Sequence, residues 1–306
     1  FKRPLIGFHD PNFGVQFNNF LDAIEEVVPP DSIDFVAESS LSLLSEPHLI
    51  RMKKNGFKAL LPGIESWYDL GEKSRTGSAR GMQKVKDVSD HVNMILRYIP
   101  YVQSNFVLGL DSDSGDEPFE LTKRFVDLTP GAFPGYSLLS AFGQAAPLNL
   151  DYQHAGRVIP FPFHFLNNNS AMNLKPVNYS WDEFYAHVID LTRYTFSKKA
   201  IFNRVRATNA FIPRWLNVVR AISSEGYGRI TAYNEIRRRL AEDVQFSPFF
   251  EQQSSVVPQF YADKVKNDLG EFWEWLPAGA LHHDPNAYAK SMAPEIVEPV
   301  LMVANA

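Results

Sequence analysis

Four carboxylates stand where short apolar runs end. Leu5–Phe8 leads into His9-Asp10-Pro11-Asn12-Phe13, and residues 33–37 lead into Glu38-Ser39-Ser40. Phe57 opens a run that closes on Gly63-Ile64-Glu65-Ser66, and Tyr101–Leu108 ends in Gly109-Leu110-Asp111. If these runs are parallel, adjacent strands, Asp10, Glu38, Glu65 and Asp111 converge on one rim. In a parallel α/β barrel the carboxyl-terminal rim is where ligands bind and chemistry occurs. Carboxylates there can accept hydrogen bonds from ribose hydroxyls or an amino group, hold a metal, or serve as general acid and base. The structural alternative is that some of them cap following helices or fix loops. Gly63 and Gly109 are open either to close backbone approach by a ligand or to plain turns.

The elements that must position these groups alternate. Residues 15–28 have helical spacing through Phe17, Phe20, Leu21, Ile24 and Val27, and Pro29-Pro30 stops them. Ser45 as N-cap and Pro47 in the first turn open a helix over 46–55, and Gly56 ends it in a left-handed conformation. Residues 57–61 read as a strand, 71–80 as a polar loop, and 81–98 as a helix with Met82, Val85, Val88, Val92 and Ile95 roughly on one face. A capping box at Ser114-Gly115-Asp116-Glu117 opens a helix over 117–128, and 133–139 is a fifth strand. Strands alternating with helices imply a parallel sheet or partial barrel, and the apolar strand interiors fit a sheet covered on both faces. Near Pro147 the character changes. A Pro-, Phe- and Asn-rich stretch over 156–178 precedes a second capping box at Ser180-Trp181-Asp182-Glu183. Helical segments are predicted over 181–197, 199–222, 229–244 and 258–269. The expected division is an α/β part over 1–150 and a helical part over 151–306.

The chain has 306 residues, 45% hydrophobic and 21% charged, with a formal net charge of −5, which gives no electrostatic reason to expect nucleic-acid binding. Arg237-Arg238-Arg239 lies among Glu235, Glu242 and Asp243 and reads as a solvated helix face. No apolar run reaches the roughly 18–20 residues of a membrane span. There is no cysteine, so disulfides, thiolate metal sites and thiol nucleophiles are excluded within these residues. His282-His283-Asp284 resembles a metal clip on paper but sits in a surface turn, and His9 reads as a loop or packed histidine. The small-residue loop 141–147 could hold a flat ring against backbone and Phe142, yet it lacks a P-loop ending. Trp67 reads as core, and Phe272-Trp273-Glu274-Trp275 as helix packing or a lid.

In order and spacing these motifs resemble the radical S-adenosylmethionine superfamily, specifically its cobalamin-binding branch. Residues 8–13 look like the end of the second barrel strand and Glu38-Ser39-Ser40 like the end of the third. Met52 to Gly56 with Gly63-Ile64-Glu65-Ser66 is similar to the fourth-strand region. Residues 106–113 resemble the fifth and 136–147 the sixth. The resemblance covers about 5–150. It implies a partial (βα) barrel lacking its first strand, with a mostly helical C-terminal domain. It also implies an enzyme that cleaves S-adenosylmethionine reductively to methylate, cyclise or rearrange an unactivated C–H substrate. Asp10, Glu38, Glu65, Ser66 and Asp111 become the expected cofactor-binding residues, with no metal ligand and no catalytic residue assigned. The implied cofactors are S-adenosylmethionine, a four-iron–four-sulfur cluster and cobalamin. The implied partners are a small-molecule substrate and a reductant protein such as flavodoxin or ferredoxin, in the cytoplasm, without nucleic acid or a membrane span.

The departure is the Cys-x-x-x-Cys-x-x-Cys motif, which is absent, as is the cobalamin-binding Asp-x-His-x-x-Gly. The expectation is that both precede Phe1 and that the chain alone is inactive. Two other readings stay open on the residues themselves. One is a cluster-free barrel lyase or hydrolase using Asp10 and Glu65; the other is a non-catalytic scaffold.

Overall fold

A computed structural model describes residues 3–9, 13–69, 71–141, 143, 147–166, 171–277, 279–282 and 284. Strands β1 (Leu5–Phe8), β2 (Asp34–Ser40), β3 (Phe57–Glu65), β4 (Tyr101–Leu108) and β5 (Phe133–Leu138) alternate with helices α1 (Phe17–Val27), α2 (Glu46–Lys54), α3 (Gly71–Ser74), α4 (Gly81–Leu96) and α5 (Glu117–Leu128). The strands are all parallel and lie in chain order, β1-β2-β3-β4-β5. Among the described residues β1 pairs only with β2 and β5 only with β4, so the sheet is open at both ends. The rest is mostly helical: α6 (Pro147–His154), then a largely irregular stretch with a bridge between Val158 and Leu174, α7 (Trp181–Thr195), α8 (Lys198–Arg206), α9 (Phe211–Ile222), α10 (Tyr227–Glu242), α11 (Phe246–Phe250) and α12 (Gln259–Leu269), then a 3₁₀ turn at Gly270–Trp275. One continuous apolar core runs through the sheet and these helices.

Side chains alternate across a strand, and the two faces of this sheet differ in kind. Ala37, Leu60, Ile64, Val102, Phe106 and Leu138 are buried on one face. There Phe8 packs on Phe20 of α1, and Phe106 on Phe125 of α5. The other face carries Val36, Glu38, Ser40, Gly63, Gln103, Asn105, Gly135 and Ser137, all half-buried. The expectation of a sheet covered on both faces is therefore corrected. Polar and small residues interleave there with Val36, Leu61 and Val107, which leaves the second face less apolar surface to draw a full helical layer onto it.

Local expectations differ in informative places. Gly56 has φ +87° and ends α2 as expected, whereas Ser45 makes no side-chain cap bond. The 71–80 segment contains the short α3 rather than loop alone. In α4, Val85, Val88, Val92 and Ile95 are buried but Met82 is 40% exposed. The capping box before α5 does not form: Asp116 takes helical angles and makes no side-chain cap bond. Pro118, early in that helix, needs no N–H partner. The Ser180 box does form, with Ser180 N donating to Glu183 at 2.9 Å and Glu183 N donating to Ser180 Oγ at 3.3 Å. The single helix expected over 199–222 is two helices, α8 and α9. The arginine run is a paired surface, with Arg237 on Asp182, Arg238 on Glu235 and Glu242, and Arg239 on Glu235 and Asp243.

Candidate functional site

The half-exposed face is richest in polar groups toward the carboxyl ends of β2, β3 and β4. Glu38 lies on β2, two residues before Ser40, which is in register with Gly63 of β3. Its carboxylate accepts a hydrogen bond from His9 Nδ1 at 3.0 Å, and both side chains are exposed. Glu65 ends β3 with φ +66°. That left-handed conformation is costly for a glutamate, on the order of 1–3 kcal/mol, and such strain concentrates at functional sites. A Cβ built on Gly63 would lie 2.2 Å from Glu65 Oε1, so the Glu65 carboxylate folds over Gly63. Gly63 shares its face with Ser40 and, across the register with β4, with Asn105. A register shift between Gly63 and Glu65 pairs Glu65 with Phe106, yet its carboxylate lies over Gly63 and so on the face of Glu38, which is in register with Leu61 further back along β3.

The turn after Glu65 is held from several sides. Ser66 is buried, and its hydroxyl accepts from Tyr68 N at 3.1 Å and Asp69 N at 3.2 Å. Its oxygen is thus engaged in shaping the turn. Trp67 is core, as expected: it is 3% exposed, with Nε1 donating to Thr122 Oγ1 at 2.8 Å. Tyr68 donates to Glu117 at 3.0 Å. Lys84, fully buried on α4, donates from Nζ to Asp69 O at 2.5 Å. Burial pulls the Lys84 ammonium down to about 8, against the opposing pull of Asp69 and Glu65.

Asp111 is exposed, and its carboxylate is already paired. Arg157 grips it in two-point fashion, Nη1 to Oδ2 at 2.6 Å and Nη2 to Oδ1 at 2.8 Å, and Asn178 donates to its carbonyl. It ties the β4 loop to the helical half. Two residues on, buried Asp113 turns back, its Oδ2 accepting from Gly109 N at 3.0 Å and Leu110 N at 3.1 Å. Burial raises the Asp113 carboxyl to about 6, with the two N–H donors acting against that rise. Gly109 has φ +89°, and a Cβ there would meet Met172 at 2.7 Å, so it is a turn glycine packed on protein. Asp10, Phe142, residues 144–146 and His283 lie outside the described residues. Among the described residues no cluster of three metal-ligating side chains occurs. The Phe272 to Trp275 group stands in a 3₁₀ turn with Phe272 and Trp275 largely exposed rather than packed.

Toward β5 the same face becomes a polar ladder. Asn105 Nδ2 donates to Leu61 O at 3.3 Å, Gln103 Nε2 to Asn105 Oδ1 at 2.6 Å, and Arg220 of α9 to Gln103 Oε1 at 2.6 Å. A cavity of about 100 Å³ lies against Gln103, Asn105, Ser137, Arg220 and Arg229. Gly135 makes the ladder possible, because a Cβ there would lie 2.6 Å from Asn105 Oδ1.

Neither known protein-family models nor curated proteins match the chain.

The chemistry of the site therefore rests on its own groups. Two carboxylates on one half-exposed edge can accept hydrogen bonds from hydroxyl or amino groups. Sequence reasoning missed Lys84, Asp113 and the Gln103–Asn105–Arg220 ladder. Gln103 and Asn105 carried a signal, since two polar amide side chains share one face of β4, although buried Ser104 between them blurs the alternation. Arg220 carried none, standing 117 residues from the glutamine it binds.

Proposed function

We propose that this chain is the S-adenosylmethionine-gripping and substrate-side portion of a radical S-adenosylmethionine enzyme of the cobalamin-binding branch. The observation that carries the reading is the run of five parallel strands in chain order, with Glu38 and Glu65 toward the carboxyl ends of adjacent strands, Glu38 in register with Leu61 and so about 13 Å short of Glu65 along the strand. In this reading the sheet is a segment of a (βα) barrel, and the unpaired edge of β1 is where a further parallel strand adds. Glu38 and Glu65 accept hydrogen bonds from the ribose hydroxyls or amino group of S-adenosylmethionine, and the missing Cβ of Gly63 leaves room for the Glu65 carboxylate. The helices from α6 onward shape the substrate side.

The iron–sulfur cluster of such enzymes supplies the electron that cleaves S-adenosylmethionine. The residues of this chain do not fit it: thiolates must hold the cluster and the chain has no cysteine. Nor does the chain contain the histidine motif that holds cobalamin. In this reading those ligands would have to come from outside these residues.

Binding of S-adenosylmethionine tests the reading. A carboxylate hydrogen bond to the cofactor is worth about 1.5–3 kcal/mol. Glu65→Ala in the intact enzyme should therefore weaken S-adenosylmethionine binding by roughly ten- to a hundred-fold in a calorimetric titration. This chain alone, reconstituted with iron and sulfide, should show no cluster absorbance and no cleavage. Unchanged affinity in the variant, or specific cleavage by this chain, refutes the proposal.

A further inference from the structure

Helix α9 is turned inside out. Its inward face is small and polar, with Pro213, Asn217 and Ala221 buried. Its outward face presents Phe211, Ile212, Trp215, Leu216, Val219 and Ile222, between 39% and 73% exposed. At 3.6 residues per turn these six fill a continuous arc of about 140° without a polar interruption. A monomer rarely leaves so large an apolar surface in water. The charge around it is one-sided. Residues 191–224 hold seven Lys and Arg and no Asp or Glu, within a chain of net charge −5; Arg204 is buried and Arg220 pairs with Glu225 just beyond, which leaves five surface cations. On α8, which packs against α9, the exposed Phe202 sits among Lys198, Lys199 and Arg206. Among the described residues none of these three cations, nor Arg214 beside the stripe, has an acidic partner within 4.0 Å.

We infer that the α8–α9 hairpin docks on an anionic lipid surface, with the α9 stripe seated at the headgroup boundary and the α8 cations over the phosphates. The pattern is that of an interfacial helix: Trp, Phe and aliphatic side chains on one face, with Lys and Arg flanking them. No helix among the described residues is long and apolar enough to cross a membrane, so the contact is peripheral. A second copy of this chain is the poorer occupant. A two-fold interface through α9 sets the cationic segment of one copy against that of the other, with no carboxylate in residues 191–224 to pair them.

Flotation with phosphatidylcholine vesicles, with and without phosphatidylserine, tests this on the whole chain. The chain should float with the anionic vesicles, weakly or not at all with the neutral ones, and less as salt is raised. Replacing both Lys198 and Lys199 by Gln should lower partitioning roughly twenty- to thirty-fold, at about five-fold per cation. Trp215→Ser should lower it roughly ten-fold or more while circular dichroism stays unchanged, because the side chain is already exposed. Equal flotation on both vesicle types, or none on either, overturns the inference. So does a dimer in sedimentation velocity that Trp215→Ser dissociates, or a stripe-dependent complex with an acidic protein in place of lipid binding.

Discussion

Asp113 offers a quantitative handle on the β4 loop. Its carboxyl is raised from 3.8 to about 6, chiefly by burial, so the folded protein holds its proton more tightly than the unfolded chain does. A group raised in this way makes stability fall as pH rises from about 4 to about 6, because ionisation is easier in the unfolded state. At about 1.36 kcal/mol per pH unit, the shift corresponds to about 3 kcal/mol lost above pH 6. Asp113→Asn keeps an oxygen for the Gly109 and Leu110 N–H groups and removes the ionisation. The variant should match the parent near pH 3–4 and exceed it by about 3 kcal/mol at pH 7. Urea unfolding at a series of pH values reads the difference directly. Asp113→Ala should behave differently, because it strands two backbone donors at about 1–3 kcal/mol each. A gap between parent and Asn variant that does not change with pH would refute the burial argument.

Lys84 gives the mirror-image case. Its folded pKa is lowered from 10.5 to about 8, so the parent should gain stability as pH rises between those values, and Lys84→Met should lack that rise in thermal melts. Glu65→Gly should relieve the left-handed backbone and raise stability by about 1 kcal/mol while weakening S-adenosylmethionine binding. A loss of stability instead would make Glu65 a structural residue.

Much of the sheet was legible because its signals are local. β1 and β4 came out with the bounds read from the sequence, and β2 and β3 came out longer at their carboxyl ends. The extension has a cause: Glu38-Ser39-Ser40 and Pro62, Gly63 and Glu65 are poor strand formers alone, and their neighbours hold them in register. The positions of Glu38 and Glu65 beyond apolar runs were visible for the same local reason. What stayed hidden depends on distant partners. Asp111 looked like its neighbours at strand ends, and its ion pair with Arg157, 46 residues on, could not be read from local spacing. Asp113 and Lys84 acquire their character from burial, which no short spacing encodes. The split between α8 and α9 has a local signal that the single-helix expectation missed: Thr208-Asn209 favour a turn, and Pro213 suits the first turn of a new helix rather than the middle of one.

The chain-order arrangement of the strands bears on how the protein is made. Each strand from β2 onward pairs with the strand synthesised just before it, so the sheet can grow by accretion as the polypeptide leaves the ribosome. No strand waits for a partner encoded far downstream, which keeps each loop-closure cost small. The exception is the polar ladder. Gln103 emerges well before Arg220, and Arg229, which donates to Tyr136 O at 2.6 Å, comes later still. A ribosome-bound chain halted after β5 would hold the assembled sheet with its ladder unlatched. Its protease sensitivity should fall once α9 and α10 have emerged.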